Sequence, residues 1–171
     1  MVSIGPYSQS YNFTHMFNKG DLRGCLKEPK YCPNSLMDII DKHPDFTIFK
    51  HIINLSGLEN ILSDKQANFT LFVPSDTQLQ GINQNVLVHM DNALARHIVK
   101  SSTIDYKIPS ALLEDSPASY YLTKDPANKL FITNISGKTY INNDINVIYK
   151  DILATNGIIH VVDRLISPYV I

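Results

Sequence analysis

Between Asn34 and Leu62 the apolar positions recur at helical spacing. In NSLMDIIDKHP, Leu36, Ile39 and Ile40 form one stripe, Ser35 and Asp38 stand at the offset of a capping box, and Pro44 ends the segment. In DFTIFKHIINLSG, Phe46, Phe49, Ile52 and Ile53 share a face, Asp45 is placed to cap the start and Gly57 to end it. LENILS reads as a short helical turn leading away. The period then shortens. NFTLFVP is rich in β-branched and aromatic residues and closes on proline, which predicts a strand. Ser75-Asp-Thr-Gln78 is a second capping-box pattern and predicts a helix towards Leu79. MDNALARHIVKS is helical again, with Asp91 or Asn92 at its start and Leu94, Ala95 and Ile98 inward, and His97 packed beside Leu94 and Ile98. IPSALL is a brief turn or helix.

The last third alternates at period two. SYYLT, KLFIT, KTYIN, INVIYK and GIIHVVDRLI are strands separated by Pro, Gly, Asn and Asp. Helices first and strands mostly later predict an α+β fold rather than alternating βαβ units. Residues 1–33 show no sustained period and form an irregular N-terminal segment, while 34–171 read as a single domain without internal repeats.

The final strand carries the candidate chemistry. Asn156-Gly157 predicts a tight type I′ reversal. Ile158, His160 and Val162 then share one face, and Ile159, Val161 and Leu165 the other, so the strand lies inside the sheet assembly. A histidine there is expected to be neutral and structural, one ring nitrogen donating to a backbone carbonyl and the other accepting. Histidines stand at 15, 43, 51, 89, 97 and 160 and never at i, i+4. No G-x-S-x-G elbow, H-E-x-x-H helix or Gly-rich phosphate loop occurs, so neither an enzyme nor a metal site or cofactor is expected.

Composition narrows the class. The 171-residue chain is 44% hydrophobic with a net charge of -1. Its thinly spread Lys and Arg exclude the basic stripe of a nucleic-acid binder. No run is long and apolar enough for a membrane span. Cys25 and Cys32, with six residues between them in CLKEPKYC, do not match redox or zinc spacing and would close a small disulfide loop after secretion. MVSIGPYSQSYN does not read as a signal peptide, so the chain is expected to be cytosolic or a mature or excised portion. Four N-x-S/T sequons, at Asn12, Asn54, Asn68 and Asn134, favour secretion.

Two stretches together resemble the fasciclin-like (FAS1) domain family. TLFVPSDTQLQ is similar to its first signature through Thr70, Phe72, Pro74 and Ser75. ATNGIIHVVDRLISP is similar to its second through Asn156, Gly157, His160 and Asp163. His97 in LARHIVKS stands where the family has a Tyr-His pair, with Arg96 replacing the tyrosine. The resemblance implies a wedge of two β-sheets packed beside a group of helices, and an extracellular or cell-surface adhesion module without a cofactor, whose partner is a receptor (integrins among them) or a matrix protein. Some members contact integrins through an Asp-Ile pair before the second signature, present here as Asp151-Ile152 but preceded by Tyr149-Lys150 instead of Glu-Pro. Such a contact needs an exposed carboxylate to complete a divalent-cation shell. The competing expectation is that Asp151 caps the turn and Ile152 is core. Lys19-Gly20-Asp21 is a second acidic candidate. The alternative function is a binding module for glycans or small apolar ligands, with Tyr120, Tyr121, Tyr140 and Tyr149 as its aromatics.

Overall fold

The computed structural model describes residues 34–82 and 84–167. The sequons and motifs at Asn12, Lys19-Gly20-Asp21 and Cys25/Cys32 lie outside them. Three helices come first: α1 (Leu36–Lys42), α2 (Thr47–Ser56) and α3 (Glu59–Leu62). Strand β1 (Phe69–Pro74) follows, then a 3-10 turn (Thr77–Leu79), α4 (Gln84–Val88), α5 (Asn92–Ser101), β2 (Thr103–Ile104) and α6 (Ser110–Leu113). The chain finishes with β3 (Ala118–Leu122), β4 (Lys129–Ile135), β5 (Lys138–Ile141), β6 (Ile145–Ala154) and β7 (Gly157–Val162). The architecture is α+β, as the order of periodicities predicts.

The seven strands form one continuous ladder in the order β2-β1-β7-β6-β5-β4-β3. Every pairing is antiparallel except β1 with β7, which run parallel from Phe69↔Gly157 to Pro74↔Val162. The long β6 joins two limbs. Its first residues pair with β5, and the remainder pairs with β7 through two register shifts between Val147 and Ile152. The far edges approach each other, since the Lys124 amide donates to the Thr103 carbonyl at 2.9 Å.

Two cores fill the layers. Helices α1, α2 and α5 pack Ile39, Phe49, Ile52 and Ile98 against Leu71, Val73, Ile159 and Val161 on one face of the first limb. Between the limbs, Phe72, Ile104 and Val162 meet Leu130, Ile132 and Ile141. Strands β1 and β7 are buried on both faces. Burial of this many aliphatic and aromatic side chains, each contributing roughly 1.5–3 kcal/mol, is the main stabilising term.

Local chemistry departs from expectation in several places. The capping box of Ser35 and Asp38 forms. Asp45, however, does not cap α2. The Asp76 carboxylate does so instead, accepting from the Thr47 and Ile48 amides at 3.1 and 2.8 Å. Asp45 reciprocates by accepting from the amide and hydroxyl of Thr77 at 3.0 and 2.9 Å. The helix predicted towards Leu79 is thus a single 3-10 turn. The β6–β7 reversal is not type I′: Thr155 and Asn156 form the turn, and neither has the positive φ that type requires. Glycine is required at 157 for a different reason, because a Cβ there would lie 2.1 Å from the Phe69 carbonyl oxygen on the parallel neighbour. β7 stops at Val162, so Leu165 lies beyond the strand and packs at the edge of the helix-side core.

Candidate functional site

The residues of both sequence signatures converge on one connecting segment, Tyr106 to Ser110, which leads from β2 to α6. Thr70, buried in β1, donates its hydroxyl to the Tyr106 carbonyl and accepts from the Ile108 amide, both at 2.7 Å. His160, buried in β7, places Nε2 2.7 Å from the Ile108 carbonyl. Its Nδ1 accepts from the Asp151 amide at 3.2 Å. A carbonyl only accepts, so Nε2 carries the proton and the ring is neutral. Burial lowers the His160 pKa, opposed by the Ile108 carbonyl and the Asp151 carboxylate. The Phe72 ring lies 5.7 Å from the imidazole, centroid to centroid.

Asp151 completes the clamp. Its backbone takes the left-handed conformation, φ 68°, which Asp tolerates better than most residues. Its carboxylate accepts from the Ser110 amide at 2.8 Å and from the Ser110 hydroxyl. Serine, histidine and aspartate therefore meet, but in the wrong connectivity for nucleophilic catalysis. The imidazole hydrogen-bonds neither the hydroxyl nor the carboxylate, both its nitrogens serve main-chain groups, and the serine hydroxyl meets the Asp151 carboxylate instead of the histidine. Among the described residues, no three His, Cys, Asp or Glu side chains form a metal-ligating group.

This arrangement sets the half-buried Asp151 on Ser110 and Ile152 in the core, the competing expectation for the pair. Ile152 is buried in the helix-side core, and the Asp151 carboxylate is committed to Ser110. A cation shell needs a carboxylate facing solvent.

Asn156 has a larger role than its place in the turn suggests. Fully buried, it accepts from the Leu36 amide at 2.8 Å and donates to the Leu62 and Asp64 carbonyls at 2.8 and 3.0 Å. It fastens the start of α1 and the end of α3 to the end of the sheet. Asp163 grips β6 at the opposite end, accepting from the amide and side chain of Asn146 at 2.9 and 2.8 Å. Pro74 closes β1, and Ser75 is buried behind it. His97 is not packed inward. Its side chain is 45% exposed, with Nδ1 2.9 Å from the Asp125 carboxylate, which is 8% exposed. The His97 hydrogen bond lowers the Asp125 pKa most, helped by Ala127 and Asn128 against a burial cost.

The remaining candidates separate by exposure. Tyr121 packs beside the inter-limb core and Tyr149 beside the helix-side core. Tyr140 is half-buried, and Tyr120 is 69% exposed. Asn54 and Asn68 face solvent. Asn134 spends its amide on the Leu113 and Ser116 carbonyls at 3.0 and 2.8 Å.

The Fasciclin domain profile matches residues 44–168. Human periostin is 26% identical over 142 residues, covering 81% of this chain and 16% of periostin. Rabbit transforming growth factor-beta-induced protein ig-h3 is 28% identical over 142 residues, covering 79% and 20%. Mouse stabilin-2 is 31% identical over 104 residues, covering 56% and 4%. The chain thus spans a fifth or less of these relatives. A solved FAS1 domain pair from the insect cell adhesion molecule Fasciclin I superposes with a TM-score of 0.67 at 23% identity, covering 78% of this chain and 51% of that one.

Proposed function

The chain belongs to the fasciclin domain family, and on that premise we propose that it is an extracellular adhesion module that binds a protein of the cell surface or matrix. The observation that carries this reading is the family match across residues 44–168, joined to a clamp whose polar groups are all spent on the fold. The similarity to a domain pair from a cell adhesion molecule supports it. An extracellular setting would let Cys25 and Cys32 form a disulfide, and among the described residues the Asn54 and Asn68 sequons face solvent, with room for a glycan. The hydrogen bonds from Ser110 to the Asp151 carboxylate and the burial of Ile152 weigh against Asp151-Ile152 as the contact. Lys19-Gly20-Asp21 remains a candidate for an integrin-type receptor.

Attachment of cells to the immobilised full chain tests the reading, with and without a divalent-cation chelator, for wild type and Asp21→Ala. Attachment of wild type supports it, and chelator-sensitive attachment lost in Asp21→Ala assigns the contact to the tripeptide. No attachment under any condition overturns it.

A further inference from the structure

Resting on the adhesion reading, the geometry points to the outer face of β3, β4 and β5 as the contact surface, and to an extended, acidic, aromatic-bearing peptide segment of a partner protein as its occupant. Alternation along these strands sends Leu130, Ile132 and Ile141 into the inter-limb core and the intervening residues outward. The outward positions are unusually apolar. Tyr120 is 69%, Leu122 65% and Ile135 59% exposed. Register brings them together: Tyr120 lies opposite Phe131, Leu122 opposite Lys129, and Ile135 opposite Lys138.

The aromatic pair has a direction. The Tyr120 and Phe131 rings are 4.7 Å apart, centroid to centroid, at 34°. One face of Tyr120 is therefore covered by Phe131. β3 is the last strand of the ladder, so among the described residues no neighbouring strand covers the other. That open face is a stacking surface for an incoming ring.

Charge sets the sign of the partner. Lys129 and Lys138 are the charged residues of this face, both exposed and outside the ion pairs, and ASYYL, KLFITNI and KTYI contain no acid. A cationic face on a chain of net charge -1 favours an anionic ligand. The lysines bracket the apolar strip six residues apart along β4, about 20 Å at strand rise. That is the reach of an extended segment of about six residues. A polysaccharide is disfavoured, because Leu122 and Ile135 offer its hydroxyls no hydrogen-bond partners.

The probe is a labelled random copolymer of glutamate and tyrosine, added to the full chain and followed by fluorescence anisotropy. Polyglutamate, a lysine–tyrosine copolymer and alginate are the comparisons. The glutamate–tyrosine copolymer should bind, polyglutamate about tenfold more weakly, and the lysine–tyrosine copolymer not at all. Tyr120→Ser, and separately Lys129→Glu with Lys138→Glu, should each weaken binding about tenfold. Lys65→Glu, elsewhere on the surface, should change nothing, and Leu122→Ser replaces either variant that melts early. Absence of copolymer binding, or equal binding by the face variants, overturns the inference. Alginate binding lost in the same variants also overturns it, assigning the face to an anionic glycan. If cells attach equally to wild type and face variants, this surface fails while the adhesion reading stands. If wild type attaches no cells, the adhesion reading fails and the copolymer alone decides the face.

Discussion

The amide of Asp151 donates to Nδ1 of His160 across the bulged stretch of β6, and it does so from a left-handed backbone. The two residues lie nine positions apart and hold the same connecting segment, one through Ser110 and the other through the Ile108 carbonyl. Replacing His160 by alanine removes the ring and strands both main-chain groups. We expect a loss of about 3 kcal/mol, read from urea unfolding, with cell attachment per folded molecule unchanged. Loss of attachment at unchanged stability would falsify the structural role.

At Asp151 the left-handed backbone separates the substitutions. Asparagine tolerates the conformation and keeps an acceptor for Ser110, so Asp151→Asn should cost under about 1 kcal/mol. Asp151→Ala loses both the acceptor and the tolerance and should cost about 2–3 kcal/mol, with glycine between the two. Both Asn and Ala variants should still attach cells once concentrations are matched by folded fraction. A well-folded Asp151→Asn that no longer attaches would restore this aspartate as a receptor contact.

Gly157→Ala should be among the most damaging single changes in the chain. The added carbon meets the backbone oxygen of Phe69, which cannot swing aside as a side chain can. We expect destabilisation above about 3 kcal/mol and largely insoluble expression. A soluble Gly157→Ala protein with a wild-type melting temperature would mean that β1 and β7 are spaced otherwise.

Acid should unfold the protein earlier than its carboxylates alone dictate. Burial of His43 lowers its pKa from 6.5 to about 4, partly offset by Asp76. Between those values the unfolded chain takes up a proton that the folded chain refuses. Stability from this group is fully present above about pH 6.5 and falls by about 3 kcal/mol as pH drops to 4. His160, lowered for the same reason, acts in the same direction. Melting temperature against pH checks this. The fall should be shallower for His43→Asn, whose side-chain oxygen still accepts the Asp45 amide that Nδ1 accepts at 3.0 Å. A flat wild-type profile from pH 6.5 to 4 would count against it.

Local signals were the readable ones. The Ser35 box, the stripes of α1, α2 and α5, and the alternating strands all follow from neighbours a few positions apart. What pairs at long range left no mark. The Asp45–Asp76 exchange of caps joins two aspartates that each look like a local N-cap, and only tertiary proximity decides which helix each one serves. His97 has an apolar-looking helical context, but Asp125 comes from the stretch between β3 and β4. Asn156 announced itself as a turn residue, although its side chain binds Leu36, 120 positions away. β2 and α4 are too short to show a period. The outward face of β3 to β5 was half visible: the tyrosines were evident, but register alone selects Tyr120 and sets Phe131 beside it.

The parallel pairing of β1 with β7 fixes the order of events when the chain is made. Phe69 to Pro74 leave the ribosome before their partner strand, which is synthesised roughly ninety residues later. Until then the greasy inner strand has one two-residue neighbour, β2, and an open edge. Nascent chains halted before Gly157 should therefore be held by chaperones and degraded, whereas those released after Val162 close the sheet in a single late step.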